Sequence, residues 1–340
     1  MSALSAMGRR LALILLMILP CLAGPARATE PALVVYSARK YQLVEQLFAE
    51  YGKLRGIALK FVTDDGAPLV QRLQAEGRNS PADVLVTVDA GDLWRASAAG
   101  LLAPVRSAAL ESAIPAHLRD PAGRWFGLAV RARTIAYSTE RVPVQALSTY
   151  AALGDARWKG RLCLRSGKHV YNQSLVAVMI AEQGEETTER VVRSWVANLA
   201  AEPFASDTLL LNAIAAGQCD VGIVNSYYLG RLQSEKPEIP VQLLWADQQA
   251  GGTHVNISGA GVTRHAKNRT EAIRFLEWLA TPAIQARFAA ANFEYPANPA
   301  VEPLPVVAAW GKFRQKLVNV GRVGELQPAA VRLMDRAGWR

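Results

Sequence analysis

Between residues 32 and 100 the hydrophobic pattern switches repeatedly between the period of a strand and that of a helix. This alternation restricts the fold more than any other feature. "ALVVY", "IALKFVTD" and "ADVLVTV" are short apolar runs of buried-strand type. After them come "QLVEQLFAEYGKLRG", with Leu43, Leu47, Tyr51 and Leu54 on one helical face, then "PLVQRLQAEG" and "AGDLWRASAAG". Gly56, Gly77 and Gly100 mark where these helices stop. Such a succession predicts a mostly parallel sheet covered by helices on both faces. Ligands of such sheets sit beyond the carboxyl ends of the strands. "YSARKY", residues 36–41, occupies that end of the first strand, with two phenols and two cations.

"RWFGLAVRARTIAYST" then supplies a long extended run from Trp125 to Tyr137, read as a crossover strand leaving a first lobe. A second α/β block follows. Its strands are "GRLCLRS", "CDVGIVN" and "VQLLWAD"; its helices are "QSLVAVMIAEQG", "TERVVRSWVANLA" and "DTLLLNAIAAGQ". "HVNISGAGVT" is a strand returning the chain to the first lobe, and "TEAIRFLEWLATPAIQARFAAAN" a helix pair with Thr270 as N-cap and Pro282 opening the second helix. The expected fold is α/β, two lobes forming a hinged clamshell. The first lobe takes residues 29–132 and 256–305, the second 133–255 and 306–340. Each lobe is a mixed, mostly parallel sheet flanked by helices.

Residues 1–28 read as a signal peptide. A cationic start with Arg9 and Arg10 precedes the apolar "LALILLMILPCLA", and "ARA" sets the cut after Ala28. Export to the periplasm follows. The leader holds three arginines and no acid, so its loss lowers the net charge from +9 to +6. That balance, with no dense basic block and no nucleic-acid motif, argues against a nucleic-acid partner. Cys163 and Cys219 remain, an even pair that an oxidising compartment turns into a disulfide.

Tyrosines recur at the strand ends of the second lobe: Tyr171 in "VYNQ", and Tyr227 and Tyr228 directly after "VGIVN". A phenolate is a hard, anionic oxygen donor, suited to a hard, highly charged ion such as ferric iron. From pattern alone, a tyrosine-lined cleft serves equally to stack on a sugar or grip a cation, and most tyrosines are simply half-buried. His169, His254, His117 and His265 are read as structural or surface residues, Asp89 as a helix cap, and Trp94, Trp195 and Trp278 as core.

"YSARKY", "TVDAGDLWRA", "RWKGRLCLRSG", "YNQSLVA", "GQCDVGIVNSYYLGRL" and "FLEWLATPAIQARFAAANFEYP", in this order, resemble the bacterial periplasmic ferric-ion-binding proteins. These are transferrin-like substrate-binding components of iron ABC transporters, with the type II periplasmic binding fold. The likeness implies that Tyr171, Tyr227 and Tyr228 are phenolate ligands of Fe3+. It implies an inner-membrane ABC permease as partner, a monomer and no catalysis. The family's first-lobe motif often carries histidine before its tyrosine, where this chain has Lys40. The shell is then completed by Tyr41 as a fourth phenolate or by a synergistic anion such as carbonate, held by Arg39 or, second, by Arg133. Two other readings are a protein of the same fold for an anion, sugar acid or polyamine, and an exported enzyme with Cys163 as nucleophile.

Overall fold

The computed structural model describes residues 32–340 except 41 and 43; the expected signal peptide, its cleavage site, Tyr41 and the helix-face residue Leu43 lie outside the described residues. In chain order the elements are β1 (Ala32–Ser37), α1 (Glu45–Arg55), β2 (Ala58–Thr63), α2 (Gly66–Glu76), β3 (Val84–Thr87), α3 (Ala90–Ala98), α4 (Ala108–Ala113), β4 (Phe126–Ser138), β5 (Leu162–Cys163), α5 (Val170–Gln183), α6 (Glu185–Ala197), α7 (Asp207–Ala215), β6 (Val221–Asn225), α8 (Ser226–Glu235), β7 (Val241–Leu244), β8 (Val255–Val262), α9 (Arg269–Leu279), α10 (Pro282–Ala290), β9 (Tyr295–Pro296), α11 (Pro305–Ala308) and α12 (Val320–Arg336).

β1 lies between β2 and β3 and runs parallel to both. β3 pairs antiparallel with β8, and β8 pairs antiparallel with the first half of β4. β4 changes partners in mid-strand. Phe126 to Ala132 pair with β8, while Arg133 to Tyr137 pair antiparallel with β6. β5 extends the second half, parallel to β6. One strand thus belongs to both lobes, which is why all of its residues are buried, its two arginines included.

Apolar residues collect on each side of that switch. Leu33, Phe48, Leu85, Trp125, Phe275 and Phe288 belong to the core of the first lobe. The second lobe has two layers, because strand residues alternate faces. Val221 and Ile223 of β6 join Trp158, Leu175, Trp195 and Leu333, while Val224 joins Leu210, Ile214 and Leu229. β6 must lie close to its neighbour: a Cβ on Gly222 would stand 2.8 Å from the Cys163 carbonyl oxygen. The disulfide forms as expected between Cys163 and Cys219 and sits in this second layer.

Two local expectations change. On α1 the buried positions are Leu47, Phe48 and Tyr51, whereas Leu54 is 65% exposed, since nothing apolar covers the last turn before Gly56. α9 begins at Arg269, with Asn268 rather than Thr270 at the N-cap position, because the Asp83 carboxylate accepts the Asn268 backbone N–H at 2.8 Å. Pro282 opens α10 as expected. Trp195 is fully buried, and Trp94 and Trp278 are half-buried. No helix among the described residues is long and apolar enough to cross a membrane.

Candidate metal centre

β6 runs directly into α8, so Tyr227 and Tyr228 fall in the first turn of that helix. Tyr171 falls in the first turn of α5. The two helix starts meet. The Tyr227 hydroxyl donates to the Tyr171 hydroxyl at 3.0 Å. The Tyr228 ring stacks on Tyr227 with centroids 4.4 Å apart. Three phenols from two helix N-termini are therefore gathered at one place. A helix N-terminus presents a positive partial charge, so each phenolate is favoured there.

Three arginines reinforce this potential, Arg231 lying 5.1 Å from the centre of the Tyr227 ring and 5.5 Å from that of Tyr228. The Arg131 and Arg165 guanidiniums each lie 5.4 Å from the centre of the Tyr171 ring. Arg165 also donates to the Tyr228 hydroxyl at 3.4 Å. Arg131 is buried, donates through Nη2 to the Val88 carbonyl oxygen and lies 3.5 Å from an Asp89 oxygen. Its Nη1 is buried without a hydrogen-bond partner, which costs about 1–3 kcal/mol unless a ligand uses it. Burial is the first cause that pushes the Tyr171 phenol up to about 12, and burial, then its tyrosine neighbours, raise Tyr227 well above the ordinary phenol value. The free protein thus holds both as neutral phenols at pH 7. Among the described residues no group of three or more His, Cys, Asp or Glu is placed to hold a metal ion.

His169 is closer to the site than its sequence reading implied. Its Nδ1 accepts the Tyr171 backbone N–H at 3.3 Å, capping α5, and its ring packs on Tyr171 with centroids 4.2 Å apart. Burial pushes this imidazole down to about 3, so it stays neutral and can accept. Asp89 caps α3 as expected, accepting from Gly91 N at 2.8 Å, and accepts as well from Ser174 of α5 and Asn256 of β8.

The structure places the remaining expected residues elsewhere. Arg39 does not face the tyrosines. It is buried, donates to Glu294 at 2.6 Å, to the Phe288 carbonyl oxygen at 2.6 Å and to Ser258 at 3.2 Å, and stacks on the Phe288 ring. Both of its terminal nitrogens are thus engaged within the first core, while its Nε is buried without a hydrogen-bond partner. Tyr36 of "YSARKY" is also core, its hydroxyl donating to Glu76 at 2.9 Å. Arg133 is buried and uses all of its donors on protein groups, so it has none to offer an anion. Arg131, Arg165 and Arg231 were missed. For Arg131 the signal was present, since "RAR" puts residues 131 and 133 on the same face of a strand; nothing in the sequence says which of the two faces the tyrosines. A recess of about 430 Å3 at the amino end of β1, lined by Ala32, Leu33, Ile57 and residues 267–271 and 274, contains no tyrosine.

A two-lobed α/β chain with a shared crossover strand and a polar site built at helix starts is the architecture of a solute-binding protein. The family model for bacterial extracellular solute-binding protein matches residues 46–315. Iron uptake protein A2 of Synechocystis sp. is 43% identical over 323 residues, covering 93% of this chain and 92% of that protein. A Trichodesmium protein, IdiA (FutA), solved in complex with iron and citrate ligands, superposes with a TM-score of 0.87 at 42% identity, covering 91% of this chain and 100% of the other. The ferric binding protein from Campylobacter jejuni gives 0.86 at 33%, covering 91% and 100%. The chain belongs to the bacterial extracellular solute-binding proteins, in the ferric iron-binding group serving ABC transport that these relatives represent. It is a binding protein and not an enzyme, and the paired Cys163 offers no free thiol for nucleophilic chemistry.

Proposed function

We propose that this monomeric protein captures ferric iron in the periplasm through the phenolates of Tyr171, Tyr227 and Tyr228, closes its lobes around it and delivers it to an inner-membrane ABC permease. The supporting observation is the convergence of three phenols at two helix N-termini beside two buried arginines. Phenolates bind a hard trivalent cation strongly, and the cation supplies the charge that keeps them deprotonated. Arg131 and Arg165 offset the excess negative charge of several phenolates, which burial otherwise penalises. The shell is completed from outside this trio either by Tyr41, which follows "YSARK" in the sequence, or by an anion such as carbonate. Arg131 suits the anion, since its buried Nη1 has no other partner.

The test is a visible-absorbance titration of the leaderless protein with ferric citrate, with and without bicarbonate. A saturable charge-transfer band at one iron per chain is expected; no band under either condition overturns the iron reading. Bicarbonate is expected to strengthen the band, and Arg131→Gln to abolish that response. A band indifferent to bicarbonate that weakens in Tyr41→Phe assigns the position to the phenol instead.

A pH dependence follows. Tyr171 and Tyr227 are protonated when free, and iron takes the phenolate, so each bond formed expels a proton. Affinity falls as pH falls, by about tenfold per pH unit for each phenol displaced. Proton release at pH 7, corrected for the iron salt, is expected to drop by about one per iron in Tyr227→Phe relative to the native protein. Equal release from the two proteins would exclude Tyr227 as a phenolate ligand.

A further inference from the structure

Arg133 lies where β4 changes partners, opposite Asn225 of β6. A guanidinium carries five N–H donors in a planar fork, and here every one is used. Nε and Nη2 both donate to Asn172 Oδ1, at 2.9 and 2.6 Å. Nη1 donates to Asp207 Oδ2 at 3.0 Å and to Asn225 Oδ1 at 3.1 Å. Nη2 also donates to the Ile223 carbonyl oxygen at 3.2 Å. The partners are tied in turn. The Asn172 amide donates to the Arg165 and Ser166 carbonyl oxygens at 2.9 Å each, and Asp207 Oδ2 accepts the Asn225 backbone N–H at 2.9 Å. Asp207 Oδ1 stands 3.8 Å from Arg165 Nη1, the nitrogen that reaches the Tyr228 hydroxyl.

Asn172 directly follows Tyr171, and Asn225 stands two residues before Tyr227. The web therefore grips the start of α5 and the strand end that launches α8, the two places that hold the phenols. We propose that Arg133 is a positioning residue for the tyrosine centre. It touches neither phenol, but it fixes the two helix starts against each other, so that the phenol oxygens face one another at 3.0 Å before iron arrives. The charged fork is satisfied where a single-point donor is not, and a displacement of either asparagine carries its neighbouring tyrosine with it. This inference rests on the proposal that Tyr171 and Tyr227 ligate iron.

Arg133→Lys tests it. Lysine keeps the charge opposite Asp207 but cannot bridge Asn172 and Asn225 in one plane. Asn225→Ala removes one strut only, and Val192→Ala, in the core of the second lobe, controls for lost stability. The readouts are the position and intensity of the ferric charge-transfer band and the rate at which EDTA strips the iron. Arg133→Lys is expected to shift and weaken the band and to release iron about tenfold or more faster. Asn225→Ala is expected to change both in the same direction by less, and Val192→Ala to lower the unfolding temperature with band and release unchanged. A wild-type band and release rate in Arg133→Lys overturns the proposal. If that variant does not fold, unchanged values in Asn225→Ala overturn it. A wild-type protein with no band removes the ground beneath both this inference and the iron reading, whereas a wild-type band unaltered in the variants sinks this inference alone.

Discussion

Tyr227→Phe is expected to lower iron affinity by about a hundredfold or more while leaving the apoprotein folded. Changes to groups that merely orient a ligand cost about 10–100-fold in metal affinity, so deleting a ligand oxygen has at least that effect. The ring is 4% exposed and stacks on Tyr228, and phenylalanine preserves both features. In the apoprotein the substitution removes the hydrogen bond to Tyr171, worth about 0.5–1.5 kcal/mol net. Iron affinity, measured by competition with a chelator, should therefore collapse while the denaturant midpoint moves little. Tyr171→Phe is expected to behave alike, because it contributes the other oxygen of the same pair. If Tyr227→Phe retains native affinity, the trio of phenols is structural and the cargo is held elsewhere in the cleft.

The second large effect is on stability. Replacing both Cys163 and Cys219 with alanine is expected to destabilise the protein by about 4 kcal/mol, from the loop-closure entropy of a cross-link spanning 56 residues. Alanine is the cleaner choice, since both positions are buried and a serine hydroxyl there would lack an assured partner. The bond joins β5 to the residue two before β6, and β6 launches the helix that carries Tyr227 and Tyr228. Urea unfolding of the native and double-alanine proteins, monitored by tryptophan fluorescence, measures the difference. Coincident curves would mean that the cross-link restricts neither state. Iron binding at low denaturant should survive, because the bond touches no phenol.

Much of the architecture was legible because it depends on local pattern. Burial of strands on both faces leaves continuous apolar runs such as "VGIVN", and amphipathic helices leave a three-to-four spacing such as Leu47 and Tyr51. The failures were also local. Leu54 keeps the helical period of Leu47 and Tyr51 yet lies exposed, because periodicity reports a direction around the helix axis and not whether anything packs there. The three tyrosines of the second lobe were legible for a similar reason: each follows a strand, and strand ends in such sheets lead to one edge.

What the sequence by itself determined is therefore the α/β order, the long crossover strand, the cysteine pair and the phenols that converge. The tertiary structure alone decided the fate of the arginines. Arg39, Arg131 and Arg133 all lie on or beside apolar strands and all are buried. Their partners are Glu294, 255 residues away; Asp89, 42 away; and Asp207, 74 away. A guanidinium's role depends on which acceptors reach its donors after folding. Arg39 commits both terminal nitrogens to protein groups and Arg133 every donor it has, whereas Arg131 keeps a buried terminal nitrogen free beside the phenols. Acceptors so distant in sequence leave no periodic trace, so only the packed chain shows which donors of each arginine are taken.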